Sequence, residues 1–268
     1  MSLRQRTPTA IVMLAVLFAA VQWSPPFVFF LLVQAVIIAS LLEFYSLAAR
    51  KKLQPQRLAG SVAALLLGVP LCFPAIPLSL ALFGSLLFLG LFYLAYARSL
   101  ERIMTVPGSL GITAFGALYV AFPMDFFPLL RVQWGPKYLY FLFAVIFLGD
   151  TGAYLFGKLL GRHKMSPLVS PNKTWEGCAG GLIVACAGAA AAQSLLLPSI
   201  GLLQTVLCGL LVHAVAQLSD PLESLFKRAV GVKDSSNILP GHGGFLDRID
   251  SLILAGPFFY FYITYFWK

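Results

Sequence analysis

Charge is scarce in this chain. Only 11% of its 268 residues are Asp, Glu, Lys or Arg, and only 10 are acidic, while 59% are hydrophobic. A soluble globular domain carries about 25% charged residues, so the deficit excludes an ordinary water-soluble fold. Cysteine is scarce too. Cys72, Cys178, Cys186 and Cys208 lie in or beside apolar runs and form no C-x-x-C pair. That excludes a disulfide scaffold and a thiolate zinc site, and leaves small core residues. Sustained alternation of apolar and polar residues is missing, which excludes a transmembrane barrel. There is no Walker A loop, no G-x-G-x-x-G opening a helix and no H-E-x-x-H. Neither the familiar nucleotide loops nor zinc-protease chemistry is therefore available.

What is present is a series of apolar runs, each about the 20 residues that an α-helix needs to cross a bilayer. They predict an all-α integral membrane protein of about nine spans, near residues 9–24, 26–48, 58–75, 78–97, 103–124, 137–157, 175–197, 199–219 and 251–267. The first and third are short or broken by Pro. The run Ala10–Trp23 is read as a span, since no clear small-residue cleavage site follows it.

Two connections are long and polar, 158–174 and 220–250. With the N-terminus in the cytoplasm, 16 of the 19 Lys and Arg fall on the cytoplasmic side, and only Arg131, Lys137 and Lys268 lie outside. This positive-inside bias predicts a multi-pass protein of the cell membrane, both long loops cytoplasmic, with a polar catalytic cavity facing the cytoplasm. The net charge of +9 follows from that topology and from anionic lipid or phosphate partners, and no nucleic-acid partner is expected.

Of the ten acids, seven lie between residues 150 and 250. Acids in or near spans are costly and need cations or partners. Chemistry is therefore expected in 136–268, with 1–135 as a scaffold of transmembrane helices.

Four polar stretches carry the chemistry. In "SDPLESLFKR", Asp220 is read as the N-cap and Pro221 as the first residue of a new helix. Glu223 and Lys227 face each other four residues apart. In "PGHGGFLDRIDS", residues 240–251, Gly and Pro make a loop whose backbone can approach a ligand closely. Asp247 and Asp250 follow, three apart on one helix face, a spacing that suits a hard divalent cation such as Mg²⁺. Asp150 interrupts the apolar run in "FLGDTGAYLFGK" and is a candidate for a polar cavity. In "SPNKTWEG", Ser170 and Pro171 read as a helix start that puts Lys173 and Thr174 in the first turn, where free N–H groups favour an anion. His213 and Gln217, on one face of the same span, read as groups that hydrogen-bond to another helix or as support for Asp220. Gly177 and Gly181 suggest close helix packing, within the chain or between subunits. Acids for metal, bases for phosphate and a Gly-rich loop at one membrane face suit phosphoryl or nucleotidyl transfer to a lipid headgroup.

Residues 224–250, "SLFKRAVGVKDSSNILPGHGGFLDRID", resemble the signature of the phosphatidate cytidylyltransferases (CDP-diacylglycerol synthases). Ser224, Lys227, Arg228, Lys233, Asp234, His242, Gly243, Gly244, Asp247, Arg248 and Asp250 all match it. The upstream "GDTGAYLFGK" and "SPNKTWEG" are also similar, with Asn172 where Lys is frequent. The resemblance covers about residues 145–251. It implies a multi-helix, homodimeric membrane enzyme that takes CTP and phosphatidate, needs Mg²⁺, and uses a second cation, K⁺ or another Mg²⁺. Asp220 and Asp247 would then be the leading metal ligands, with Asp250 and Asp150 next. Lys227, Arg228, Lys233 and Arg248 would hold phosphates, and His242, Gly243 and Gly244 would wrap the CTP phosphates or the cytidine. Two rivals stay open at this point: a CTP-dependent polyprenol or phytol kinase, and a cation-coupled transporter with Asp150 as its ion site.

Overall fold

The computed structural model describes residues 3–72, 76–238 and 243–267. His242, Lys268 and the Cys72 side chain lie outside the described residues. Apolar runs have become helices: α1 (Leu3–Trp23), α2 (Pro26–Arg50), α3 (Arg57–Cys72), α4 (Leu78–Tyr96), α5 (Leu100–Gly116), α6 (Phe122–Met124), α7 (Phe126–Trp134), α8 (Pro136–Leu160), α9 (Trp175–Leu196), α10 (Leu202–Ala229) and α11 (Leu246–Phe266). A short π-helical turn, Ala117–Ala121, joins α5 to α6.

Seven helical segments among the described residues are long and apolar enough to cross a membrane, the segment Leu100–Trp134 counting once. Two shorter apolar stretches, Ile11–Trp23 and Arg57–Pro70, fall where the sequence pattern is short or Pro-broken. The chain is an all-α membrane protein with one exception. Lys164–Ser166 (β1) and Ser170–Thr174 (β2) pair antiparallel as a small ribbon.

The chain forms two compact units. The first comprises Met1–Leu129 and Ala229–Arg248. Its interior is built on α2. Phe44 and Tyr45 are fully buried there, and the Tyr45 hydroxyl donates to the Thr113 carbonyl at 2.6 Å. Ala59, Ala63, Leu67, Leu89 and Ala117 form an apolar cluster of small and branched side chains. Their modest size brings α3, α4 and the π-helical turn close together.

The second unit comprises Leu130–Arg228 and Ile249–Lys268. Helices α8 and α9 lie backbone to backbone. A Cβ at Gly177 would stand 2.8 Å from the Ala153 carbonyl oxygen and 3.1 Å from the Gly157 Cα, so no side chain fits at that position. The Gly177/Gly181 pair thus packs α9 onto α8 within one chain.

Two local expectations need correction. Helix α9 begins at Trp175, not at Ser170, because residues 170–174 join the ribbon. Thr174 is the cap, its Oγ1 accepting from the Gly177 amide at 3.1 Å. Thr is among the residues whose side-chain oxygen serves as an N-cap. Second, α10 runs unbroken from Leu202 to Ala229 with Pro221 inside it. Pro removes one backbone donor and crowds the preceding turn, at a cost of about 3 kcal/mol or more. A 28-residue helix with a largely buried face absorbs that loss, so Asp220 sits inside the helix and caps nothing.

Candidate active site

The second unit gathers acids and bases from four elements. Asp220 on α10 is the hub. Its Oδ2 lies 2.8 Å from the Lys173 ammonium on β2. Its Oδ1 accepts from the Ser224 hydroxyl at 3.3 Å, one turn further along α10. Asp250 on α11 and Asp150 on α8 fall within electrostatic reach of Asp220 and of each other. Asp150 also has the Ser251 hydroxyl as a hydrogen-bond neighbour. Ser219 on α10 donates to the Asp250 carbonyl and so ties α10 to α11. Lys227 and Glu223 form an ion pair on α10, with side chains only 9% and 1% exposed. Beyond it, the exposed Arg228 donates from Nε to the Val169 carbonyl at 3.0 Å and fastens the ribbon to the end of α10.

Behind this set, Gln217 donates from Nε2 to the Cys178 carbonyl at 3.1 Å and accepts from the Cys178 thiol at 2.6 Å. Gln217 is also 2.9 Å from His213 Nε2. The Gln217–Cys178 bonds join α10 to α9, the interhelical hydrogen bonding that the sequence suggests, while the His213 contact stays within α10. At the base of the ribbon, Glu176 accepts from the Arg162 and His163 amides and meets His163 Nδ1 at 2.5 Å.

The first unit holds the rest of the predicted residues that the structure describes. Asp247 opens α11 with its carboxylate turned back. Its Oδ2 accepts from the Ser235 amide, the Ser235 hydroxyl and the Gly244 amide, each at 2.8 Å. Gly243 has φ +79°, a backbone state that side chains resist. Lys233 and Arg248 are exposed.

One residue escapes sequence reasoning altogether. Glu43 on α2 is 4% exposed. Its carboxylate accepts from the Ser235 hydroxyl at 2.8 Å, the Ser236 hydroxyl at 2.7 Å, the Phe245 amide at 3.1 Å and the Leu246 amide at 2.9 Å. The only sequence signal is an isolated acid in an apolar run, the signal that singles out Asp150.

Among the described residues no three His, Cys, Asp or Glu side chains form a ready-made metal cluster. Asp150, Asp220 and Asp250 nonetheless offer hard oxygen donors from three helices. Mg²⁺ is usually held by one or two carboxylates, with substrate phosphates and water completing its shell. The residues present fit that mode.

The chain matches the model of the cytidylyltransferase family over residues 4–266. A phosphatidate cytidylyltransferase of Bacillus subtilis is 39% identical over 182 residues, 67% of each chain. One of Staphylococcus aureus is 45% identical over 141 residues, 52% of this chain and 53% of that one. One of Staphylococcus saprophyticus is 46% identical over 123 residues, 46% and 47% of the two chains. The alignments thus span about half the length of the staphylococcal relatives and two thirds of the Bacillus one. Because the family match runs almost from end to end, well beyond the polar stretches, the chain belongs to the cytidylyltransferase family.

Proposed function

We propose that this protein is a phosphatidate cytidylyltransferase, making CDP-diacylglycerol and pyrophosphate from CTP and phosphatidate. It is a nucleotidyltransferase of phospholipid biosynthesis. The observation that carries the reading is the Lys173–Asp220 pair, with Asp150, Asp250, Ser224 and Lys227 around it, in a chain of this family. Both substrates are anionic, so the site needs cationic side chains. The CTP phosphates need a counter-cation, so it also needs acids.

A phosphate monoester is already an anion at neutral pH, its second pKa being about 6, so no strong base is required. A phosphatidate oxygen attacks the α-phosphorus of CTP, the bond from that phosphorus to the bridging β-phosphate oxygen breaks, and pyrophosphate departs with the electron pair. Asp220 and Asp250, with Asp150 beside them, are the residues that would hold Mg²⁺, which when bound offsets phosphate charge. Asp247 remains a proposed ligand as well. Lys173 and Lys227 neutralise phosphate oxygens from the β2 and α10 sides. Ser224 orients the Asp220 carboxylate. Arg228 holds the ribbon, and Ser170 and Thr174 frame Lys173 on it. Lys233, Arg248, His242, Gly243 and Gly244 remain the proposed contacts to CTP.

The Lys and Arg bias supports a site facing the cytoplasm of the cell membrane. The finer proposals are a second cation, K⁺ or another Mg²⁺, and a homodimer, which light scattering of purified protein tests. Purified protein incubated with labelled CTP, phosphatidate and Mg²⁺ should release pyrophosphate and label the lipid. Release of CDP on a polyprenol or phytol acceptor, with none on phosphatidate, would replace this reading by the kinase one.

A further inference from the structure

We propose that Glu43 is a positioning residue for this reaction, a buried carboxylate that holds Ser235, Ser236 and the start of α11 at Phe245 and Leu246 from 192 or more residues upstream in the sequence. The proposal rests on the reading of the chain as a CTP-dependent transferase.

The argument starts from cost. A buried carboxylate is expensive unless every lone pair finds a donor. An ionised carboxylate has about four lone-pair sites. At Glu43 the Ser236 hydroxyl and the Phe245 and Leu246 amides fill three of them, and the Ser235 hydroxyl, shared with Asp247, stands at the fourth. With protein donors around both oxygens, Glu43 is placed to hold backbone and hydroxyl groups rather than a cation. It also has no substrate proton to take, because the nucleophile is already an anion. Its bonds reach Ser235 and Ser236 on one side and Phe245 and Leu246 on the other, and holding these two points together is its function.

What it holds is specific. Phe245 and Leu246 lie where α11 begins, and their amides have no partner inside the helix. No Ser, Thr, Asp or Asn stands just before Leu246 to cap it. Asp247 turns back to the Gly244 amide, and Glu43 serves the next two. The helix start is therefore capped by α2, and its position depends on α2. Ser235 couples the two acids, since its hydroxyl stands 2.8 Å from both Glu43 Oε2 and Asp247 Oδ2 and has one hydrogen to give. A Cβ at Gly244 would collide with Glu43 Oε2 and Ser235 Oγ, so that glycine is there to let the clamp close. Lys233, Gly243, Gly244 and Arg248, proposed to meet CTP, and Asp247, a proposed metal ligand, all lie within three residues of a residue that Glu43 holds.

The test compares the full-length wild type with Glu43→Gln. The amide keeps the size but puts an N–H donor where Oε1 or Oε2 accepts. Hydrogen exchange at the Phe245 and Leu246 amides should speed up at least tenfold. The KM for CTP should rise about tenfold, the size of one hydrogen bond to a charged group. The KM for phosphatidate and the elution profile should not change. Ser236→Ala removes a single donor and should shift both quantities the same way by a smaller factor, which keeps the test open if Glu43→Gln does not fold. Unchanged exchange at 245 and 246 would overturn the proposal. So would a fall in kcat with both KM values intact and faster exchange along the whole chain. If the wild type makes no CDP-diacylglycerol, the transferase reading fails, while the exchange result still decides the clamp.

Discussion

Lys173 and Asp220 face each other at 2.8 Å, one from a two-stranded ribbon and the other from the interior of α10. Both side chains are about one third exposed or less, at 27% and 34%. An ion pair this accessible contributes little to folding, about 1 kcal/mol or less. Lys173→Gln should therefore leave thermal stability nearly unchanged while reducing CTP turnover at least tenfold. A thermal melt beside a turnover assay checks this, and full activity in the variant would remove Lys173 from the site.

Asp220→Asn and Asp250→Asn should raise the Mg²⁺ concentration needed for half-maximal rate, since an amide binds a hard cation poorly. Asp247→Asn separates two roles by the same titration. If Asp247 contributes a ligand oxygen, high Mg²⁺ should recover part of its activity. If it only orders the turn through Ser235 and Gly244, the loss should be the same at every Mg²⁺ concentration.

The Glu223–Lys227 pair is almost sealed from solvent. Removing one member of a buried pair strands the other and costs about 3–5 kcal/mol. Lys227→Met alone should lower the melting temperature sharply. The double variant Glu223→Leu with Lys227→Met should melt near the wild type but remain inactive, because the phosphate contact proposed for Lys227 is gone. Recovery of activity along with stability would make Lys227 purely structural.

In the first unit, Gln34 donates to Asp125 Oδ1 at 2.5 Å. Asp125 Oδ2 and Gln34 Oε1 are both buried without a partner among the described residues. One added donor can relieve this pair. Asp125→Asn should stabilise the protein by about 1 kcal/mol, and Asp125→Leu should destabilise it by stranding Gln34. Detergent-solubilised melts of the three proteins compare them directly.

Asn172 is exposed on β2, within the 158–174 connection. A single Cys introduced there should react with a membrane-impermeant maleimide only in inverted vesicles. Labelling in intact cells would reverse the proposed orientation.

The sequence by itself determined the helices and the chemistry they carry. Runs of apolar residues in α2, α4, α8 and α10 can satisfy their backbone groups in lipid only as helices. Glu223 and Lys227 meet because the helix repeat places residues four apart on one face. The family signature follows from residue types at fixed spacings. Tertiary structure decided the rest. Ser170 and Thr174 are both good caps locally, and pairing with Lys164–Ser166 makes 170–174 a strand and Thr174 the cap. Pro221 reads as a helix start, yet α10 passes through it. Glu43 and Asp125 look alike from the sequence, each a lone acid in an apolar run. Folding gives one three donors of its own and a shared fourth, and the other a single amide. The difference is one of range: short-range geometry is set by the repeat of the chain, whereas a contact across some 200 residues exists only once the helices have packed.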